Sequence, residues 1–200
     1  MTPTFRRATA ADVPAAARTL AAAFHDYPWT RWAVPEDDYP ERLAALQEIY
    51  LEHALAHGIV VVHDPADAVV ALMPPDAPAP PGDVQERVAA LHGPRLQAVA
   101  AAELPPPPPD AWTLATVGVL PSLQGTGRGS AVCRAALRDP ALGDAPVALE
   151  TSDARNVTFY ERLGFVRTAT TQVHDGPVVH TDSYTPLRDD EPPEARRMRG

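Results

Sequence analysis

The chain has 200 residues, a length that suits one domain with a substantial core. Its formal net charge of −9 argues against a nucleic-acid-binding protein, which needs a basic face to neutralise phosphates. A single cysteine excludes an internal disulfide, and no apolar run approaches the roughly 20 residues of a membrane span. We therefore expect an intracellular protein that binds neither nucleic acid nor a membrane.

The first part of the chain is predicted to contain strands, helices and an aromatic loop. Periodic apolar residues between Val13 and Phe24 indicate an amphipathic helix whose first turn Thr9 and Asp12 can cap. Residues 64–67 have the composition of a hairpin turn. The expected elements are a strand at 4–8, a helix ending near residue 25, an aromatic loop at 27–32, a helix at about 40–56, and strands at 59–62 and 68–73.

The second part begins with an insert that we expect to be helical at 83–103 and broken at Gly93-Pro94. The five prolines at 105–109 indicate a stiff, extended connector. The elements expected next are a strand at 113–119, a helix at 130–138, a strand at 147–150, a helix at 157–163, and hairpin strands at 167–173 and 178–184. We expect residues 1–187 to form the single domain and residues 188–200 to form a flexible polar tail.

A glycine-rich segment, Gln124-Gly125-Thr126-Gly127-Arg128-Gly129-Ser130, joins a predicted strand to a predicted helix. Its alternating glycines can adopt backbone angles that other residues avoid, which exposes a row of N–H groups. Such a row at a helix N-terminus attracts phosphate oxygens, because the helix dipole favours negative charge there. The segment predicts a pyrophosphate-binding cradle, and the alternative is an ordinary strand-to-helix turn.

Three kinds of phosphate-binding loop contain such glycines. A Walker loop is excluded because it requires a lysine, and all 17 basic residues of the chain are arginines. A Rossmann fingerprint would use Gly125, Gly127 and Ser130, with Glu150 about 20 residues later. The glycine turn of a Rossmann fingerprint follows its strand directly, however, whereas here residues 120–124 separate the predicted strand from the first glycine. The third pattern is Q-x-x-G-x-G, from Gln124 to Gly129.

A second segment accompanies this pattern. Asn156 and Tyr160 are four residues apart and therefore project from one helix face, and Gly164 can end that helix. The pattern and the phrase N-x-x-x-Y-E-R-L-G-F together resemble the GNAT N-acetyltransferase superfamily. The resemblance implies an α/β (α+β) fold with a mixed, mostly antiparallel sheet flanked by helices, and here a helical insert precedes the coenzyme-binding strand. It also implies acetyl-CoA as the co-substrate.

The resemblance gives individual residues a role. Tyr160 would be the acid that protonates the departing thiolate, and the alternative is a tyrosine of the core. Gly118 suggests a bulge or a close backbone approach, and its neighbours would offer backbone groups to the pantetheine arm. Arg128 would either face the phosphates or only solvent. The predicted coenzyme contacts are Val117, Gly118, Val119, Gln124, Gly125, Thr126, Gly127, Arg128, Gly129, Ser130 and Asn156.

The general base is predicted to be Glu150, since the strand before the glycine-rich segment carries no acid. Glu150 would act through water, or it would instead cap the following helix or anchor the turn at 151–152. The seven histidines are scattered without zinc-like spacing, so no metal site is expected. Cys133 lies on an apolar helix face and is expected to be a core thiol, which favours direct attack by the amine without an acetyl-enzyme.

The acceptor is expected to be the primary amine of a small molecule. Several segments, including 18–24 and 159–165, are similar to the puromycin N-acetyltransferases, which are cytoplasmic enzymes that acetylate an aminonucleoside antibiotic. Tyr27 and Trp29 are the candidate substrate contacts, because aromatic rings can stack on a flat ligand. The alternative for these residues and Trp32 is a packing role. A peptide acceptor and a non-catalytic acyl-CoA-binding module remain the other possibilities, and the oligomeric state stays open.

Overall fold

The computed structural model describes residues 5–186 and places a seven-stranded sheet between two layers of helices. The predicted tail at 188–200 lies outside the described residues. The strands are β1 (Phe5–Arg7), β2 (Ile59–His63), β3 (Ala68–Met73), β4 (Trp112–Val119), β5 (Val147–Thr151), β6 (Val166–Gln172) and β7 (Val178–Tyr184). The helices are α1 (Val13–Ala23), α2 (Pro28–Ala33), α3 (Tyr39–His57), α4 (Gly82–His92), α5 (Leu96–Ala100), α6 (Arg128–Leu137) and α7 (Ala154–Glu161). Within residues 5–186, no helix is both long and apolar enough to cross a membrane.

The sheet has the strand order β1-β2-β3-β4-β5-β7-β6. Every pair of neighbours is antiparallel except β4 and β5, which are parallel. This arrangement confirms the predicted mixed, mostly antiparallel sheet. The helical insert also lies where it was expected, as α4 and α5 before β4, and it is broken at Gly93–Arg95 by a turn of 3₁₀ helix.

The central strands are apolar on both faces because helices cover both faces. Val60, Val62 and Val69 pack in a cluster with α1 and α3, whereas Val61 and Val70 pack in a cluster with α6. All five residues of β2 are therefore buried. The core of the sheet therefore consists of one apolar cluster on each face.

The parallel pair β4 and β5 separates after its first two residues. Trp112 pairs with Val147 and Thr113 with Ala148, and the described pairing between the two strands ends there. β4 also carries a bulge opposite Ala71 and Leu72, where its register with β3 shifts. A bulge bends its strand locally, and this one lies in the part of β4 that is no longer paired with β5.

One prediction about local structure is wrong. The aromatic segment is not a loop but the short helix α2, which begins with Pro28 at a position that proline favours. The hydroxyl of Thr30 donates to the carbonyl of Phe24, which ties this helix to the end of α1. Gly118 was predicted to mark either a bulge or a close backbone approach, and the second alternative is confirmed. The bulge of β4 lies opposite Ala71 and Leu72, whereas a Cβ atom at Gly118 would stand 2.7 Å from Cδ2 of Leu20. Gly118 therefore allows α1 to approach the sheet closely.

Candidate active site

The glycine-rich segment forms an open turn before α6. Gly125 and Gly127 have φ angles of 75° and 85°, in the left-handed region that favours glycine. A Cβ atom added at either residue would meet nothing within 4 Å. No carbonyl of the described residues accepts from the amides of residues 125–130, and the next amide, that of Ala131, bonds to the oxygen of Gly127 at 3.0 Å. The turn therefore has the free donors and open space that fit a pyrophosphate.

Contacts with β4 and α7 hold the turn in place. Helix α6 begins at Arg128, two residues before its predicted start, and Gly127 caps it. A Cβ atom on Gly129 would lie at ordinary contact distance, 3.4 Å from Val119 and 3.5 Å from Phe159, so this residue faces β4 and α7. The side-chain amide of Gln124 donates to the carbonyl of Val119 at 3.3 Å, which joins the turn to the end of β4.

Arg128 does not simply face solvent, which was one of the two predicted alternatives. Its Nε lies 3.4 Å from the Oδ2 atom of Asp67, in the turn between β2 and β3. Its Nη1 donates to the hydroxyl of Thr126 at 2.9 Å. Asp67 is buried, and its other oxygen lies 2.6 Å from Nδ1 of His63. The arginine therefore connects the glycine-rich segment to the β2–β3 hairpin, and its contact with phosphate stays a prediction.

A cleft of about 650 Å³ opens where β4 and β5 separate. Its walls come from both strands, from α2 and α3, and from the helical insert with its proline connector. Among the predicted site residues, the lining includes Val117, Glu150, Asn156, Tyr160, Tyr27 and Trp29. The structure thus brings together the predicted acid, the predicted base and both predicted acceptor contacts. The residues of the glycine-rich segment do not line this cleft, and they lie beyond the end of β4.

Glu150 lies in β5 at the separated part of the parallel pair, with its side chain accessible to solvent. Partial desolvation by the surrounding protein raises the pKa of its carboxyl. Of its two predicted structural alternatives, helix capping is wrong, because Asp153 caps α7 by accepting from the amide of Arg155. No hydrogen bond or ion pair within residues 5–186 involves the Glu150 carboxylate. Its position leaves it available to a ligand in the cleft.

Tyr160 lies in the last turn of α7 and is buried, with Phe159 and Phe165 packed around its ring. It also lines the cleft, so its place in the core does not separate it from the candidate site, and its role as the acid stays a prediction. Burial raises the pKa of its phenol well above the ordinary value. A phenol in this environment keeps its proton at neutral pH, as a general acid must before it reacts.

Tyr27 contacts the turn between β5 and α7. Its hydroxyl accepts a hydrogen bond from the amide of Ser152 at 2.7 Å and lies 3.0 Å from the hydroxyl of Thr151. The side-chain amide of Asn156 donates to the same Thr151 hydroxyl at 3.2 Å. Tyr27 is a predicted contact of the acceptor and Asn156 a predicted contact of the coenzyme. Both side chains therefore lie within hydrogen-bond distance of the same hydroxyl, that of Thr151.

The two tryptophans of α2 have different surroundings. Their rings lie 5.0 Å apart, but only Trp29 lines the cleft. Trp32 packs against the hairpin turn between β6 and β7, where a Cβ atom on Gly176 would come within 2.9 Å of it. The amide of Trp29 donates to the hydroxyl of Ser152 at 3.0 Å. The structure thus supports a packing role for Trp32 and leaves Trp29 accessible to an acceptor.

The sequence did not single out three polar residues of the cleft, Gln47, His92 and Thr181. His92, in the last turn of α4, is buried, and its Nδ1 lies 2.8 Å from the carbonyl of Ala33. No sequence motif surrounds these residues, so only the three-dimensional structure shows that they line the cleft. The alternation along β7 could have indicated which face Thr181 occupies, but not that this face borders a cleft.

The remaining candidate chemistries can be compared with the same structure. Cys133 is fully buried in α6, and burial raises the pKa of its thiol to about 12. Such a thiol is not a nucleophile at neutral pH, which agrees with its predicted place in the core. In the described part of the chain, no group of three or more His, Cys, Asp and Glu side chains could hold a metal ion.

Comparison with known proteins identifies the family. A model of the Acetyltransferase (GNAT) family matches residues 21–165. The crystal structure of histone acetyltransferase HPA2 and related acetyltransferase from Corynebacterium glutamicum is 28% identical, with a TM-score of 0.75, and the match covers 96% of this chain and 100% of that chain. The polyamine N-acetyltransferase of Drosophila melanogaster, 19% identical over 92% of this chain and 99% of its own, shares the fold with a TM-score of 0.56. The chain belongs to the GNAT family of acetyltransferases and is an acetyl-CoA-dependent N-acetyltransferase.

Proposed function

We propose that this enzyme acetylates the primary amine of a small molecule that has a largely apolar body and a single positive charge. Puromycin or a related aminonucleoside antibiotic is the leading candidate. The observation that carries the proposal is the cleft of about 650 Å³, which holds Glu150 and Tyr160 together with the aromatic residues of α2. A role in antibiotic resistance and a cytoplasmic location belong to the same proposal.

The charge of the cleft supports a monocationic acceptor. Among the described residues that line it, Glu150 is the only carboxylate, and there is no arginine. The chain as a whole has a net charge of −9, so this shortage of acids is local. A polycation such as a polyamine or an aminoglycoside would leave several charges without partners in such a cleft, and unpaired buried charge is costly.

The remaining lining supports an acceptor with flat or apolar groups. Tyr27, Trp29 and Phe24 line the side formed by the first two helices, and Val88, Val99 and three prolines line the side formed by the insert and the segments that flank it. Ligand sites of this size are usually apolar, with a few polar groups that fix orientation. Aromatic side chains favour stacking on a ring of the ligand.

In the proposed mechanism the amine attacks the thioester directly. Glu150 accepts a proton from the ammonium group, which leaves a neutral amine able to form the new bond between nitrogen and the acetyl carbon. As the bond between carbon and sulfur breaks, Tyr160 gives its proton to the sulfur. The acylated nitrogen then loses its extra proton, and that proton, passed through solvent, restores the phenol of Tyr160. The cradle at residues 124–130 and Asn156 would hold the coenzyme, and the backbone of Val117 to Val119 would face its pantetheine arm.

The test is release of free thiol from acetyl-CoA in the presence of a panel of amines. The panel contains puromycin, other aminonucleosides, aminoglycosides, a polyamine and short peptides. We expect turnover with aminonucleosides and little with the polycations. Activity on another monoamine but not on puromycin would keep the reaction and discard this substrate, whereas preference for a polyamine would contradict the charge argument.

The Trp29→Ala variant tests whether α2 selects the acceptor. We expect its ranking of the panel to differ from that of the wild type, because Trp29 lines the cleft. The matched control is Trp32→Ala, which changes the same helix but a ring that packs against the β6–β7 turn. An unchanged ranking in Trp29→Ala would mean that the helix only packs.

A peptide or protein acceptor is the second candidate. It is favoured by the relative at 28% identity, which is described as histone acetyltransferase HPA2 and related acetyltransferase. The short peptides of the panel decide between the two acceptors, since clear preference for a peptide would overturn the small-molecule proposal. A third possibility, an acyl-CoA-binding module without turnover, predicts coenzyme binding but no thiol release with any amine.

A further inference from the structure

Thr181 carries a hydroxyl that the fold does not use. Its Oγ1 atom is buried and has no hydrogen-bond partner within residues 5–186, and the residue is only 5% exposed. Thr181 nevertheless lines the cleft that holds Glu150 and Tyr160. Buried polar groups without a partner are rare, and one that borders a cavity indicates a bound water or ligand.

Strand pairing does not explain this hydroxyl. The backbone of Thr181 is held by the ladder with β5 and β6, and its carbonyl also accepts from the hydroxyl of Thr168 at 3.1 Å. These contacts fix where the side chain lies without involving Oγ1. A valine at this position would satisfy the same packing, because it has nearly the same shape without the polar atom.

Thr181 lies directly across the sheet from Glu150. The two residues are register partners in the antiparallel pair β5 and β7. Directly opposed residues point to the same face, with Cβ atoms about 4.5–5.5 Å apart. Both side chains line the same cleft. A separation of this size suits a water molecule that bridges the carboxylate and the hydroxyl.

We propose that Thr181 is a positioning residue whose hydroxyl holds the water through which Glu150 deprotonates the acceptor. The inference rests on the proposed function. The water takes a proton from the ammonium group and gives one to the Glu150 carboxylate. The products are a neutral amine, an unchanged water and a protonated glutamate, so only N–H and O–H bonds are exchanged.

The first test needs no acceptor. Crystal structures of the full chain and of Thr181→Val should be compared at a resolution that shows ordered water. We expect a water within hydrogen-bond distance of both Thr181 Oγ1 and the Glu150 carboxylate in the wild type, and its loss in the variant. A wild-type structure in which no water bridges these two groups overturns the inference.

The second test is kinetic, with the panel amine that the wild type acetylates best. Thr181→Val should lower kcat/KM for that amine by roughly 10- to 100-fold, part of the roughly 10²–10⁴-fold that a general base contributes. Thr181→Ser, which keeps the hydroxyl, should restore most of the activity. In the Glu150→Gln variant, adding Thr181→Val should lower kcat/KM little further, because Thr181 is proposed to act only through Glu150.

The kinetic outcomes separate the inference from the function on which it rests. The inference would be overturned if Thr181→Ser had a kcat/KM as low as that of Thr181→Val. It would also be overturned if the two fold-losses in kcat/KM multiplied in the double variant. Wild-type turnover with an equally active Thr181→Val variant would overturn the inference alone, whereas no wild-type turnover with any amine would remove the proposed function and the inference with it. Thermal unfolding gives the folding control, and Thr181→Val should unfold near the wild-type temperature, because valine keeps the packing and no protein group of the described residues pairs with the hydroxyl that it removes.

Discussion

The hydroxyl of Tyr27 accepts a hydrogen bond of 2.7 Å from the backbone amide of Ser152, a residue 125 positions away in the sequence. The bond joins the start of α2 to the turn that precedes α7. Helix α2, which carries the predicted acceptor contact Trp29, is thereby fixed to the helix that carries Asn156 and Tyr160. Both substrates' predicted contacts consequently depend on one small cluster of hydrogen bonds.

Tyr27→Phe should destabilise the protein. The change leaves the amide of Ser152 without its acceptor at a partly buried position, which costs about 1–3 kcal/mol. For a chain of this size that loss lowers Tm by roughly 2–12 °C. Thermal unfolding checks the prediction, and an unchanged Tm would show that water replaces the phenol at no cost.

Gly127→Trp should abolish acetyl-CoA binding by filling the cradle. The control is Gly143→Trp, because Gly143 also has a positive φ, of 54°, and open space around its missing Cβ, but lies in the turn after α6. Both variants impose the same kind of backbone strain, and only one blocks the predicted phosphate site. Calorimetric titration with acetyl-CoA measures the effect. Affinity retained in Gly127→Trp would contradict the assignment of the cradle.

Tyr160→Phe should lower kcat by about 10²-fold or more while leaving the Kd of acetyl-CoA nearly unchanged. The phenol is needed only when the sulfur leaves, so its loss affects the transition state rather than binding. Tyr184→Phe is the matched control, because Tyr184 packs against Phe165 without lining the cleft. Initial-rate patterns of ping-pong type would instead contradict direct attack.

The pH profile should report the ionisation of Glu150. Because desolvation raises the pKa of this carboxyl, the acidic limb of kcat/KM should lie above the range of an ordinary glutamate. Activity falls as the pH drops through that pKa, since a protonated carboxyl cannot accept a proton. The other titratable side chains of the described cleft are Tyr27, Tyr50, His53, His92 and Tyr160.

The Glu150→Gln variant distinguishes the contribution of Glu150 to the pH profile from the contributions of the other titratable groups. The variant should have low activity and should lose the acidic limb, whereas a limb due to any other group of the cleft would persist. At neutral pH the variant should be at least as stable as the wild type, because it removes a charge that the fold partly desolvates. That difference in stability should shrink as the pH falls below the raised pKa, where Glu150 is itself neutral.

Much of the fold was predictable because its signals are local. Alternating apolar residues and glycine turns indicate where strands and helices begin and end, so the hairpin of β2 and β3 and the broken helical insert were placed nearly correctly. Gly118 shows the limit of this approach. A glycine within a strand signals close approach, but the sequence does not say what approaches, and here it is α1.

The candidate site was predictable where a motif carries it. The cradle and the pair Asn156 and Tyr160 follow from spacing along one helix or one turn. The contact of Arg128 with Asp67 and the position of Thr181 opposite Glu150 arise from pairings between distant segments. A local sequence pattern cannot predict these two contacts, because each depends on how segments far apart in the sequence come together in the fold.

The brief pairing of β4 and β5 has a consequence for solubility as well as for chemistry. Beyond Thr113 and Ala148 the facing sides of these strands have no ladder bonds to each other, and this opening borders the cleft. At the margin of a sheet, such free backbone groups would be a template for association with other chains. Here the two free margins face each other inside the sheet, with β3 and β7 paired on their outer sides. The sheet thus opens internally without presenting these backbone groups at its outer margin.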